Sequence, residues 1–97
     1  MQPDDAARLR HMLDSAEEAV RFCHGKSQET FKLDRMLSLS VIQCLQILGE
    51  ASSKVSLDVR NSAPEIPWSD LVGLRHRLIH AYFDVNLEIV WGAMQKR

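Results

Sequence analysis

Apolar residues recur every three to four positions along most of this chain, and this spacing limits the fold more than any other feature. In the first quarter of the chain the recurring residues are Leu9, Met12, Leu13, Ala16, Ala19, Val20 and Cys23. An α-helix has about 3.6 residues per turn, so the spacing predicts an amphipathic helix with one buried stripe. No alternating stretch is long enough for a strand. We therefore expect an all-α fold.

The first predicted helix has clear signals at both ends. Asp4 and Asp5 suit the positive N-terminal end of a helix, and Gly25 suits its exit. The segment KSQETFKLD is then predicted to be a polar connection that can include one helical turn. A long second helix follows, over residues 34 to about 55.

The long second helix has apolar residues on two sides. Its main stripe consists of Leu37, Val41, Cys44, Leu45, Leu48, Ala51 and Val55. Leu39, Ile42 and Gly49 lie on another side. A helix that is apolar on two sides needs two packing partners, and we expect these to be the domain core and a second subunit.

The last third of the chain predicts two more helices. NSAPEIPW interrupts the pattern, and Pro67 suits the first turn of a third helix over residues 68 to about 80. Asn86 can cap a fourth helix that carries Leu87, Val90, Trp91 and Met94 on one face. The expected architecture is a single domain over residues 1–97, a mostly antiparallel bundle of four main helices.

Charge and composition exclude several classes of protein. The chain has 12 Lys and Arg against 13 Asp and Glu, a net charge of −1, so any RNA contact must come from a local basic patch. No apolar run approaches a membrane span, and the opening segment MQPDDAARLR is polar, so we expect a cytosolic protein. Cys23 and Cys44 fit no metal spacing and are interpreted as reduced, buried small hydrophobes.

The segment GLRHRLIHAYF, residues 73 to 83, places charge inside an apolar stripe. On a helical wheel Arg75 falls within the apolar arc, His76 and His80 lie side by side at its edge, and Arg77 points away. A buried guanidinium needs a carboxylate, a cleft or an anionic ligand. A structural ion pair, or an arginine stem lying along the core, would also explain Arg75. The histidine pair could bind a metal, but no third ligand joins it in this stretch.

The same residues could cleave RNA without a metal ion or other cofactor. The guanidinium of Arg75 can hold a phosphate, and the imidazole of His80 can transfer protons near neutral pH. Cleavage needs two proton transfers, at the attacking 2′-hydroxyl and at the leaving group. A dimer that brings two such helices together would supply both.

At these residues the chain resembles the HepT-like proteins of the HEPN superfamily of helical domains. RHRLIHAY fits their R-x4-6-H-x-Y motif, with Arg75, His76, His80 and Tyr82 in its positions. The segments RLRHML, ILGEA, PEIPW and AYFDVNLEIVW resemble the same family, so the likeness covers nearly the whole chain. Ala81 stands where Gly is common, and the chain stops at Arg97, where many relatives continue the last helix.

The resemblance implies a toxin of a type VII-like toxin–antitoxin pair, acting as a homodimeric ribonuclease on RNA. It implies that Arg75 and His80 line a cleft shared by two subunits, with His76 assisting. It also implies an antitoxin partner, an MNT-type nucleotidyltransferase that adds AMP to Tyr82. Two other interpretations stay open: a non-catalytic subunit that binds nucleotide or substrate for a nucleotidyltransferase, and a plain helical dimerisation module.

Overall fold

The computed structural model describes the backbone of residues 3–80 and the side chains of residues 3–74. This part of the chain is all-α and contains no strand, as predicted. Its five helices are α1 (Asp5–Cys23), α2 (Gln28–Leu33), α3 (Arg35–Ser53), α4 (Leu57–Ser62) and α5 (Trp68–His80). The predicted fourth main helix, after Asn86, lies outside the described residues.

The long helix α3 lies between α1 and α5 and packs against both. One group of buried residues, the α2-end cluster, consists of Ala19, Phe31, Leu37, Val41, Cys44 and Leu45. A second group, the α4-end cluster, consists of Met12, Ala51, Val55 and Trp68. Because early residues of α1 meet late residues of α3, the two helices are antiparallel.

The short helix α2 confirms the helical turn expected in the polar connection. The hydroxyl of Ser27 caps it by accepting from the Thr30 N–H at 3.1 Å. Phe31 is fully buried in the α2-end cluster, whereas the other residues of α2 are exposed. The Asp34 carboxylate then accepts from the Leu37 N–H at 3.1 Å and starts α3, close to the predicted boundary.

Helix α4 was not predicted, although its starting signal is present in the sequence. Ser56 caps it through the Val59 N–H at 3.4 Å, and the same hydroxyl donates to the Asp5 carboxylate at 2.7 Å. The guanidinium of Arg60 donates to the carbonyls of Ser53 and Val55 at 2.9 and 3.0 Å. Arg60 of α4 therefore pairs with carbonyl groups at and just after the C-terminal end of α3, where the helix itself supplies no donors.

Two expectations about burial need correction. Leu13 was placed on the buried stripe of α1 but is 48% exposed, because it lies about 100° around the helix from the buried Met12. On α3, Leu39 is exposed as expected for a second side, but Ile42 packs against the α2-end cluster and Gly49 is buried. The exposed apolar residues of this helix are Met36, Leu39 and Ile47.

The two cysteines are free thiols, as expected. Cys44 is buried, whereas Cys23 is only half-buried. Burial raises the pKa of both thiols, and the nearby Glu18 carboxylate raises the pKa of Cys44 further. Within the described residues, none of the helices is both long and apolar enough to cross a lipid bilayer.

Candidate active site

The helix that carries the motif begins at a firmly held turn. Pro67 has no N–H to leave unpaired, and its carbonyl accepts from the Leu71 N–H at 3.0 Å. The indole of Trp68 is buried in the α4-end cluster and donates to the Ala63 carbonyl at 3.0 Å. These contacts fix the start of α5 against the bundle, and the helix begins at Trp68, as predicted from Pro67.

The direction of α5 is set by two leucines. Leu71 packs against the α4-end cluster, and Leu74, one turn later, packs against the α2-end cluster. The helix therefore runs antiparallel to α3, towards α2. From Leu74 to His80 it rises about 9 Å further in that direction. The half of α5 that carries the motif thus lies towards the α2 end of the bundle.

Arg75, His76 and His80 all lie on α5, as predicted, whereas Tyr82 lies outside the described residues. At about 100° per residue, position 75 falls between the columns of Trp68 and Leu71, on the packed side. Positions 76 and 80 fall on the side of α5 that faces away from Leu71 and Leu74. The helical backbone thus separates the Arg75 position from the two histidine positions around its axis.

The side chains of residues 3–74 include no group of three or more His, Cys, Asp or Glu that could hold a metal ion. His76 and His80 are beyond that range. The proposal that these two histidines do not bind a metal therefore remains a prediction.

The structure also shows two shallow grooves between α1 and α3 that sequence analysis did not predict. One, of about 300 Å³, is lined by Arg8, His11, Gln43, Gln46, Ile47, Glu50 and Ala51. The other, of about 400 Å³, is lined by Glu18, Phe22, Leu39, Ser40, Gln43, Cys44 and Ile47. The signal of the first groove in the sequence is a stripe of polar residues on α3, spaced three to four apart: Gln43, Gln46 and Glu50.

Comparison with known proteins identifies the family of this chain. The sequence model of the family described as "Ribonuclease HepT-like" matches residues 12–97. "Putative RNase MJ1380" of Methanocaldococcus jannaschii is 36% identical over 96% of this chain and 85% of that protein. "Probable ribonuclease HepT" of Thermococcus cleftensis is 38% identical over 91% of this chain and 80% of that protein.

A relative from a third organism gives the same result. "Putative RNase TTE0752" of Caldanaerobacter subterraneus subsp. tengcongensis is 34% identical over 91% of this chain and 79% of that protein. No solved structure matches significantly. The matched segment contains α3, α5 and the whole RHRLIHAY motif. The chain belongs to the HepT-like ribonuclease family of enzymes.

Proposed function

We propose that this protein is the toxin of a toxin–antitoxin pair, a metal-independent endoribonuclease that uses Arg75 and His80. The observation that carries the proposal is family membership together with the position of Arg75 and His80 on one continuous helix, α5. The fixed start of α5 at Trp68 and its packing through Leu74 would hold these positions in a constant register. Constant register is what a site requires when groups must meet a reacting phosphate within a fraction of an ångström.

The proposed reaction is transfer of the phosphodiester to the neighbouring 2′-oxygen. An imidazole accepts the proton of the 2′-hydroxyl as that oxygen bonds to phosphorus. The bond from phosphorus to the 5′-oxygen breaks, and that oxygen receives a proton. The products are a 2′,3′-cyclic phosphate and a free 5′-hydroxyl, so no oxidant or co-reactant is needed. Arg75 neutralises charge on the phosphoryl oxygens, and His76 helps to position the substrate.

The proposed active unit is a homodimer. Two proton transfers occur at opposite sides of the phosphorus, and each α5 contributes one His80. Positions 76 and 80 fall on the side of α5 that faces away from Leu71 and Leu74, and the second copy is proposed to approach this side. Because Arg75 lies about 140° around the helix from His80, a cleft between two subunits offers a way for both groups to meet one phosphate.

The proposed regulator is an antitoxin of the MNT nucleotidyltransferase type, which transfers AMP from ATP to the Tyr82 hydroxyl. The phenolic oxygen attacks the α-phosphorus, and pyrophosphate leaves. The new phosphodiester places a negative charge two residues after His80. It would compete for the Arg75 guanidinium and repel the RNA backbone.

Single substitutions test the catalytic assignment. Arg75→Ala and His80→Ala should each lower the rate of RNA cleavage by roughly a hundredfold or more, because each removes a group used in the transition state. Arg77→Ala is the matched control, since it removes an equal charge from the same helix and should retain activity. Thermal unfolding should give similar midpoints for all variants.

Two results would contradict this assignment. If Arg77→Ala loses as much activity as Arg75→Ala, positive charge on α5 matters but the motif does not. If His80→Ala cleaves at the wild-type rate, His80 carries no proton. Wild-type protein that binds RNA without cleaving it would instead support a binding subunit.

A further inference from the structure

A group of cations surrounds the short helix α2. Lys26 precedes α2, Lys32 lies in its last turn, and Arg35 is the first residue of α3. All three side chains are exposed. We refer to Lys26, Lys32 and Arg35 as the basic collar. Phe31, the neighbour of Lys32, is the one buried side chain of α2 and anchors this short helix in the core.

Charge is distributed unevenly between this region and the rest of the described chain. Residues 20–36 contain four Lys and Arg against two Asp and Glu, a balance of +2. The other described side chains, in residues 3–19 and 37–74, contain four Lys and Arg against nine Asp and Glu, a balance of −5. Among the described side chains, the basic collar is therefore a local positive patch beside an acidic remainder, and such a patch attracts anions.

Arg21 is not counted in the collar because it lies on α1, one turn after Glu18, whose carboxylate is 4.0 Å from its guanidinium. The two acidic residues of segment 20–36 lie at the N-terminal ends of helices. Glu29 is in the first turn of α2, and the Asp34 carboxylate caps α3. These carboxylates complement the positive N-terminal ends of α2 and α3.

The basic collar lies at the end of the bundle towards which the motif runs. Leu74 packs against the α2-end cluster, which includes Phe31 of α2 and Leu37 of α3. Beyond Leu74, the remaining six residues of α5 continue towards α2. An RNA strand with one phosphate at the motif would carry further phosphates to each side, and Arg and Lys are usual partners of that backbone.

We infer that the basic collar binds phosphates of single-stranded RNA flanking the cleaved bond. This inference rests on the proposed ribonuclease function and adds binding residues that the motif does not contain. The collar holds the strand without reading its bases, because ammonium and guanidinium groups contact the backbone independently of sequence. The collar gives this weakly acidic protein the local basic patch that an RNA substrate requires.

Equilibrium binding tests the inference. Lys26, Lys32 and Arg35 are changed together to Gln in a His80→Ala background, which keeps the RNA intact. Fluorescence anisotropy with a labelled single-stranded RNA of mixed sequence then measures affinity over a range of salt concentrations. Each lost phosphate contact should reduce the slope of log affinity against log salt by about 0.7, so the triple change should reduce it by about two. Affinity at low salt should fall by roughly tenfold or more.

The matched control removes charge from another part of the surface. The double variant Arg10→Gln, Lys54→Gln changes two exposed cations. Arg10 lies 3.2 Å from the Asp14 carboxylate, and Lys54 lies 3.6 Å from the Glu50 carboxylate. Neither residue belongs to the collar, and this variant should bind RNA like its parent. If the triple variant folds poorly, Lys26→Gln alone tests the same point, because Lys26 lies in the loop before α2 and is not part of a helix. This single change should reduce the slope of log affinity against log salt by about 0.7.

The outcomes separate this inference from the proposed function. If the wild-type protein cleaves RNA but the collar variant keeps the parent affinity and salt slope, the inference is wrong and the ribonuclease proposal stands. Equal weakening in the collar and control variants would indicate a general charge effect and would also overturn the inference. If the wild-type protein neither cleaves nor binds RNA, both proposals are wrong.

Discussion

Tyr82 connects the proposed chemistry with its proposed control. A phenol combines an apolar ring, which can pack at the edge of a core, with a hydroxyl that can stay in contact with solvent. The proposed catalytic roles use an imidazole and a guanidinium but not this hydroxyl. Modification of Tyr82 and cleavage of RNA should therefore be separable by removing one oxygen atom.

Tyr82→Phe is expected to escape AMP addition and to retain ribonuclease activity. The ring keeps its packing, while the nucleophilic oxygen is lost. After incubation with the partner nucleotidyltransferase, ATP and magnesium, mass spectrometry should find AMP on the wild-type peptide that contains Tyr82 and none on the variant. AMP on another residue, or a Tyr82→Phe protein as inactive as His80→Ala, would show that this role is assigned wrongly.

Among single residues, Asp5 shows how far local sequence reasoning reaches. Its charge was expected to favour the N-terminal end of α1, and α1 does begin there. Its side chain is only 1% exposed and accepts hydrogen bonds from the N–H and hydroxyl of Ser56 at 2.9 and 2.7 Å. These partners are far apart in sequence, so no local pattern could have revealed the contact.

At the scale of elements, apolar periodicity was sufficient to predict the helices that bury an apolar stripe over several turns. α1, α3 and α5 were predicted close to their observed bounds because their apolar residues recur over several turns. The six-residue α4 has no buried residue, so it has no stripe to detect. The Ser56 cap and the contacts of Arg60 with the carbonyls of Ser53 and Val55 are local instead, and neither produces an apolar periodicity.

The joint between α1 and α4 gives a prediction about stability. Asp5→Ala should lower the free energy of unfolding by about 2–3 kcal/mol, since it removes hydrogen bonds to a charged acceptor and leaves a buried N–H without its partner. Asp4→Ala is the matched control, because Asp4 is exposed and its side chain makes no capping hydrogen bond. Its effect should stay within about 0.5 kcal/mol.

Urea unfolding followed by circular dichroism measures both variants. Equal stability of Asp5→Ala and Asp4→Ala would contradict the structural role given to the Asp5–Ser56 contact. The experiment also tests whether α4 is coupled to the rest of the bundle, because loss of the contact should lower the midpoint of a single transition rather than create a second one.

At the scale of the whole molecule, α3 connects the core with the proposed dimer. One side of α3 joins both buried clusters, and Met36, Leu39 and Ile47 remain exposed on the other. Exposed apolar side chains in a row are a common feature of subunit interfaces. Of the three residues predicted to form the second apolar side of this helix, Leu39 is exposed as expected. Ile42 packs in the core of the subunit and Gly49 is buried there.

Light scattering at micromolar concentration should give twice the 11.1 kDa mass of one chain. Leu39→Glu should shift this mass towards the monomer, because it would place a charge in an apolar interface. Leu57→Glu, at a residue of α4 that is 67% exposed, should leave the mass unchanged. A wild-type monomer at this concentration would contradict the shared cleft.

The central claim is that this protein cleaves RNA through its motif helix without a metal ion. The direct measurement is cleavage of end-labelled single-stranded RNA by wild-type and His80→Ala protein in EDTA, with analysis of the product ends. The account predicts wild-type cleavage in EDTA, 2′,3′-cyclic phosphate or its hydrolysed form at the new ends, and no comparable cleavage by His80→Ala. Cleavage that stops in EDTA and returns with a divalent ion would contradict it, as would equal cleavage by the two proteins.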